Sequence, residues 1–179
     1  MRARGFTLIE VVMVIIILGI MVAFVAPILS GAVGAYDTAS RNIEVLTKMR
    51  YAMERIAHEI RMIRRDPVNS ANYDIVAGSM TASKFEFCRA GGTRVTIDYT
   101  SPNLKLGYTT GFTSSCTASA ATTQTLTDAA TSFTLTYRTI GGGVAAGNND
   151  VAYVDVAMTI TGTGTAAYNS SMRVDMRNP

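Results

Sequence analysis

The sequence predicts an α+β fold, in which a long N-terminal α-helical spine packs on a C-terminal antiparallel β-sheet. Three observations support this fold class: an apolar run over residues 11–26, an apolar stripe with helical spacing over residues 43–63, and alternation of apolar and polar residues through 84–176. The first two patterns are typical of helices, and the third is typical of strands that bury one face.

The N-terminal element combines a short basic leader with an apolar segment of membrane length. Arg2 and Arg4 precede Gly5, and Glu10 is the only charged residue of the segment 6–29. A helix over that segment would be roughly 36 Å long, which is enough to span a bilayer with some tilt. A charged side chain costs about 2.5–3.5 kcal/mol at the bilayer centre and less near its edge, so Glu10 is a candidate functional residue.

This N-terminus resembles the signal of type IV prepilins and of the pseudopilins of type II secretion, through Gly5, Phe6, Glu10 and the apolar run that follows. The resemblance implies that a prepilin peptidase/N-methyltransferase cleaves between Gly5 and Phe6 and methylates the new amino terminus of Phe6. It also implies that Glu10 pairs with the terminal amine of a neighbouring subunit, since two opposite charges in apolar surroundings stay costly until they meet.

Two other interpretations of this N-terminus remain open. A cleaved secretory signal also has a basic start, but its apolar core usually spans 7–15 residues. A plain membrane anchor would explain the apolar run and leave Glu10 unexplained.

Gly19 and Pro27 interrupt the regularity of the apolar segment. A proline in a helix interior loses one hydrogen bond and can kink the chain. In assembled pili of the family that this segment resembles, the stretch between such a glycine and proline can lose helicity, and we expect a helix break between Gly19 and Pro27. A simple kink is the alternative.

The spacing of apolar residues over 30–66 predicts an amphipathic helix, the second half of the spine. Their apolar positions recur in steps of three and four, which places them on one helix face: Ile43, Leu46, Met49, Met53, Ile56, Ile60 and Ile63. The helix is expected to end at Asp66, because the residue before Pro67 avoids the helical region. A two-helix coiled coil is the alternative, but the strand-rich region that follows favours packing on a sheet.

Residues 67–179 predict a β-rich head. Alternating apolar residues indicate six strands, at Phe85 and Phe87; Val95, Ile97 and Tyr99; Leu104 and Leu106; Phe133, Leu135 and Tyr137; Val154, Val156, Met158 and Ile160; and Met172, Val174 and Met176. Gly91 and Gly92 predict a hairpin turn between the first two strands. Residues 109–136, rich in Thr, Ser and Ala, predict a long surface loop with a weak strand at its end, whose glycosylation stays open.

Cys88 and Cys116 are the only cysteines of the chain. An even number of cysteines in an exported domain predicts one disulfide, with two separate thiols as the alternative. The closed loop would restrict the unfolded chain by roughly 3.5 kcal/mol in the chain-entropy account.

Composition argues against several other kinds of function. Residues 67–179 carry seven basic and seven acidic side chains, and this neutrality argues against nucleic acid as a partner. His58 is the only histidine and is predicted to be solvated on its helix, and the sequence has no nucleophile elbow or phosphate loop. We therefore predict no catalytic residue, cofactor or metal, and we expect a plain hairpin loop over residues 141–150, where one carboxylate and two amides fall short of a calcium shell.

The resemblance implies a minor pilin or minor pseudopilin of the W, O or J kind. Such a chain is a single-pass protein of the bacterial inner membrane with a periplasmic head, and it is incorporated into a pilus or pseudopilus. The expected partners are the prepilin peptidase, other major and minor pilins or pseudopilins, and an inner-membrane assembly platform. A filament-associated binding subunit for DNA uptake or adhesion is one alternative, and a plain membrane-anchored periplasmic domain is another. The predicted divisions are 1–5 for the leader, 6–29 for the membrane helix, 30–66 for the amphipathic helix and 67–179 for the head.

Overall fold

The computed structural model describes residues 5, 7–117, 122–162 and 166–176. The chain divides into two compact units, Met1–Asn42 and Ile43–Pro179. Along the described residues one helix precedes seven strands: α1 Leu8–Arg61, β1 Lys84–Arg89, β2 Thr93–Thr100, β3 Asn103–Thr109, β4 Thr122–Thr127, β5 Ala130–Arg138, β6 Tyr153–Thr161 and β7 Ala167–Asp175. The α+β class predicted from the sequence is therefore confirmed.

In the first unit α1 continues without interruption through Gly19 and Pro27. The single chain is therefore helical here, and it does not test the break expected between these residues in an assembled filament. Pro27 can remove only one bond of the backbone ladder, and the turns on either side of it keep theirs. Loss of helicity in an assembled filament stays a prediction.

In the second unit α1 packs on the sheets with the predicted stripe. The stripe is buried from Met49 onward, whereas Ile43 is 64% exposed and Leu46 is half-buried. These two residues belong to the first turns of α1 within this unit, before the part of the helix that the sheets cover. Ala52 and Glu59 add to the buried face.

The helix ends at Arg61 rather than at the predicted Asp66. The N–H of Ile63 donates to the carbonyl three residues back, which tightens the last turn. The N–H of Arg64 then donates to the carbonyl of Cys88 at 2.9 Å. The chain leaves the helix early because its next backbone groups pair with β1, while Ile63 remains fully buried.

The strands form two antiparallel sheets, with orders β1-β2-β3-β4 and β5-β6-β7. Gly91 and Gly92 form the predicted hairpin turn with φ of 84° and 67°, a region that favours glycine. The sequence predicted one sheet, and the presence of two corrects it. Alternation shows which face of a strand is buried, but it does not identify the neighbouring strand.

The prediction of a surface loop over residues 109–136 was wrong for Thr122–Thr127, which form strand β4. Its sequence is four threonines, a glutamine and a leucine, and the β-branched threonines favour an extended strand although few large apolar residues are present. Gly107 in β3 faces Thr123 in β4. A Cβ on Gly107 would lie 2.8 Å from the Cγ2 of Thr123, so the glycine permits the close approach of the two strands.

The buried apolar residues of α1 and of both sheets form one core. Phe85 of β1 contacts Tyr137 of β5 with 5.1 Å between the ring centroids, and Tyr99 of β2 contacts Phe133 of β5 at 5.8 Å. The backbone N–H of Leu135 also donates to the carbonyl of Ala82. Strand β5 therefore joins the second sheet to the first.

Candidate functional site

The first turn of α1 is capped by Thr7 and Glu10. The carbonyl of Thr7 accepts the N–H of Glu10 at 3.1 Å, which opens the helix. The Oε2 of Glu10 accepts the backbone N–H of Thr7 at 3.3 Å and its hydroxyl at 3.4 Å. A glutamate three residues after a threonine acts in this way in capping boxes, and its charge suits the positive end of the helix dipole.

The helix beyond this cap has an apolar surface that no described residue of its unit covers. Its most apolar 18-residue window has a mean hydropathy of 3.1 with none of its residues buried, and by length and composition it can cross a membrane. At 1.5 Å per residue, the stretch 8–29 is about 33 Å long. An exposed apolar surface of this size indicates contact with a membrane or with other proteins, and Glu10 carries its only charge.

The predicted processing residues lie at the start of this unit. Gly5 is exposed and precedes Thr7, whereas Phe6 lies outside the described residues. Cleavage between Gly5 and Phe6 therefore stays a prediction. Gly19 and Pro27 lie further along α1, where a Cβ on Gly19 would meet no atom of the described residues within 4 Å.

The structure contains the disulfide between Cys88 and Cys116, with the two Cα atoms 5.7 Å apart. Together with the carboxylate of Asp74, the two sulfurs form a group of metal-type donor atoms that lie within 4.8 Å of one another. The sulfurs are bonded to each other, and the Asp74 carboxylate accepts the Nε–H of Arg64 and the N–H of Cys116, both at 2.7 Å. This arrangement holds the chain together rather than offering open ligands.

A second polar cluster surrounds Glu59, which is fully buried on the inner face of α1. Its two carboxylate oxygens pair with Arg55 at 3.0 Å and with Arg89 at 3.1 Å. The hydroxyl of Tyr108 donates to Glu59 at 2.9 Å and accepts from Arg55 at 2.7 Å. Burial raises the pKa of Tyr108, and the hydrogen bond from Arg55 opposes this shift. The cluster ties α1 to β1 and β3.

The sequence contained a spacing signal for two of these features. Thr7 stands three residues before Glu10, which is the capping spacing. Glu59 stands three residues after Ile56 and four before Ile63, so it lies on the apolar stripe, where a carboxylate needs a partner. Asp74 gave no comparable signal, because its partners come from distant parts of the chain.

Two further positions considered from the sequence lie on α1 and in the turn over residues 141–150. His58 is exposed on α1. In the turn over residues 141–150, the side-chain amide of Asn148 donates to the carbonyl of Ile75 at 3.1 Å. One of the two amides considered for calcium thus serves the fold.

These features, a capped apolar N-terminal helix and a disulfide-bonded β-rich unit, fit a membrane-anchored chain. Residues 1–26 match the family model described as the prokaryotic N-terminal methylation motif. The matched range includes Gly5, Glu10 and Gly19, and it supports the class of type IV prepilins and pseudopilins. The motif implies processing by a prepilin peptidase and assembly with other pilins. Comparison with curated proteins gave no match.

Proposed function

We propose that this chain is a minor type IV pilin or minor pseudopilin, a non-catalytic subunit that enters a filament after leader cleavage and N-methylation. One observation carries the proposal: the methylation motif opens an exposed apolar helix of membrane length whose only carboxylate is Glu10. An anchor alone needs no carboxylate in that position, and an enzyme needs a polar constellation for its chemistry.

Cleavage between Gly5 and Phe6 creates a new amino terminus four residues before Glu10. In the single chain, the Glu10 carboxylate is held by Thr7 at 3.3 and 3.4 Å, which is longer than the usual 2.7–3.2 Å for N–H to O bonds. The neighbour's amine can therefore replace these contacts at small cost. In apolar surroundings the resulting charge pair is favoured over two separate charges.

Charge and the disulfide support one orientation in the membrane. Arg2 and Arg4 precede the apolar segment and keep the leader cytoplasmic by the positive-inside rule. The β-rich unit then lies in the periplasm, where a disulfide such as Cys88–Cys116 persists. The head has equal numbers of basic and acidic residues, which favours contacts with other subunits over a role in DNA uptake.

Filament incorporation tests the proposal. The chain is expressed in a host with a complete filament system, filaments are sheared from the cells, and the chain is quantified in them relative to the major subunit. We expect a few copies per filament, with Glu10→Val reducing recovery and Glu54→Gln, an exposed carboxylate of the second unit, leaving it unchanged. A wild-type chain that remains wholly in the membrane fraction would show that it is an anchor and not a subunit.

A further inference from the structure

We propose that Asp74 and Arg64 hold residues 112–117 in place before the disulfide forms, so that Cys116 already lies beside Cys88 in the reduced chain. We call this arrangement of Asp74, Arg64 and residues 112–117 the Asp74 clasp. The disulfide then secures a segment that polar contacts have docked.

Asp74 contacts the backbone of both cysteines. Its Oδ1 accepts the N–H of Cys116 at 2.7 Å, and its own carbonyl accepts the N–H of Cys88 at 2.9 Å. The side chain of Asp74 is almost fully buried, and its Oδ2 accepts the Nε–H of Arg64 at 2.7 Å. None of these bonds involves a sulfur atom, so all of them can form in the reduced chain.

Further contacts hold the rest of the segment. The guanidinium of Arg64 donates to the carbonyls of Phe112 and Ser114. The hydroxyl of Ser115 donates to the carboxylate of Asp66 at 2.7 Å, and this bond is the largest cause that lowers the pKa of Asp66. Hydrogen bonds to ionised groups are about twice as strong as those between neutral groups, so the clasp has the strength to order a short segment.

Gly92 adds a steric requirement for this docking. Its carbonyl accepts the N–H of Phe112 at 3.0 Å, and a Cβ on Gly92 would lie 2.3 Å from the carbonyl oxygen of Phe112. The backbone of Phe112 thus packs against the β1–β2 hairpin at Gly92, and only a residue without a Cβ permits this close approach. Segment 112–117 is fixed at its start by Gly92 and near its end by Asp74.

Docking raises the effective concentration of one thiol at the other, which favours an intramolecular reaction. With glutathione disulfide as the oxidant, one cysteine thiolate attacks it and releases one glutathione thiol. The second thiolate then attacks the mixed disulfide and releases another. The two cysteines lose two electrons and two protons, and the glutathione disulfide gains them as two thiols.

The equilibrium of the detergent-solubilised full-length chain with reduced and oxidised glutathione tests the clasp. We expect Asp74→Asn to lower the equilibrium constant for disulfide formation about ten-fold, and Ser115→Ala to lower it two- to five-fold. The matched control is Asp155→Asn, which removes an arginine-paired carboxylate of the other sheet and leaves the constant unchanged. In concentrated urea, where the clasp is absent, all four chains should give the same constant.

Two results would overturn the proposal. One is a folded Asp74→Asn chain with the wild-type equilibrium constant. The other is rapid hydrogen exchange of the amide at position 116 in the reduced wild-type chain, since a docked Cys116 keeps its bond to Asp74. If Asp74→Asn fails to fold, Ser115→Ala and the exchange measurement decide the question.

Discussion

At the scale of single residues, Glu10 combines two properties that a mutation can separate. It caps the first turn of α1 through Thr7, and it is the only charged side chain on the apolar surface. A capping role requires an oxygen acceptor, whereas pairing with an amine requires a charge. Glutamine supplies the acceptor and lacks the charge.

We predict that Glu10→Gln reduces filament incorporation nearly as much as Glu10→Val, because in the proposed mechanism the charge of Glu10, and not its capping of the helix, drives assembly. Thr7→Ala, which removes the hydroxyl contact and keeps the charge, should incorporate much better than either variant. Quantitative immunoblots of sheared filaments measure this. Wild-type recovery of Glu10→Gln would assign the residue to helix capping and remove the charge-pairing step.

At the scale of elements, α1 differs between the two units in what its surface contacts. In the first unit its apolar side chains are exposed. In the second its apolar stripe is buried from Met49 onward, and the charged Glu59 lies on the same buried face. Glu59 pairs with Arg55 and Arg89, which are themselves 39% and 31% exposed. The cluster therefore fixes the rotation of α1 on the sheets while its arginines remain partly hydrated.

We predict that Glu59→Gln lowers the free energy of unfolding by about 1–3 kcal/mol, because two arginines and Tyr108 lose a charged acceptor in a buried place. The exposed Glu54 of the same helix provides the control, and Glu54→Gln should change stability by less than about 0.5 kcal/mol. Urea unfolding followed by circular dichroism measures both. Equal effects of the two substitutions would contradict the structural role of the cluster.

The second sheet carries its own ionic pairing at Asp155. The hydrogen bond from Arg173 is the largest cause that holds the pKa of Asp155 below its ordinary value of 3.8, and a bond from Arg138 adds to it against the effect of burial. Because the pKa is lower in the folded state, the stabilisation is present above the unfolded-state value and is lost as the pH falls through the folded-state value.

We predict that the wild-type chain loses more stability than Asp155→Asn when the pH falls from 6 to 3, since the asparagine has no such charge to lose. The difference should be small, because all three side chains are partly exposed to solvent. Thermal unfolding at several pH values measures it. An equal fall in melting temperature for the two chains between pH 6 and pH 3 would show that the pairing adds nothing to stability.

At the scale of the whole molecule, the chain joins a membrane-length helix to a β-rich unit that is cross-linked once. The disulfide spans 28 positions of sequence and links β1 to the segment that follows β3. Cross-linking mainly restricts the unfolded chain, by roughly 3.5 kcal/mol for a loop of this length.

We predict that reduction lowers the melting temperature of the second unit and leaves the first unit's helix content unchanged. Differential scanning calorimetry of the full-length chain, with and without a reducing agent, measures the shift, and circular dichroism reports the helix. The double variant Cys88→Ser with Cys116→Ser should melt at the temperature of the reduced chain. An unchanged melting temperature would show that the disulfide does not stabilise the fold.

The sequence predicted the local features of single elements well, but it predicted poorly which strands and side chains pair with one another. The reason is physical. Periodicity depends on which face of one element is buried, so the stripe from Met49 to Ile63 and most strands could be found. The end of α1, the division into two sheets and strand β4 depend on backbone pairing with distant residues. The partners of Glu59 and Asp74 likewise come from other strands and loops, which no spacing rule specifies.

The central claim is that this chain is a prepilin-type substrate, and mass spectrometry of its amino terminus tests it most directly. The chain is isolated from membranes of cells that contain a prepilin peptidase, with Gly5→Ala as the variant that should be processed slowly and Gly19→Ala as the matched control. We predict an N-methylated Phe6 as the first residue of the wild-type chain and of Gly19→Ala. An intact Met1 on the wild-type chain in the presence of active peptidase would contradict the claim and leave a plain membrane anchor.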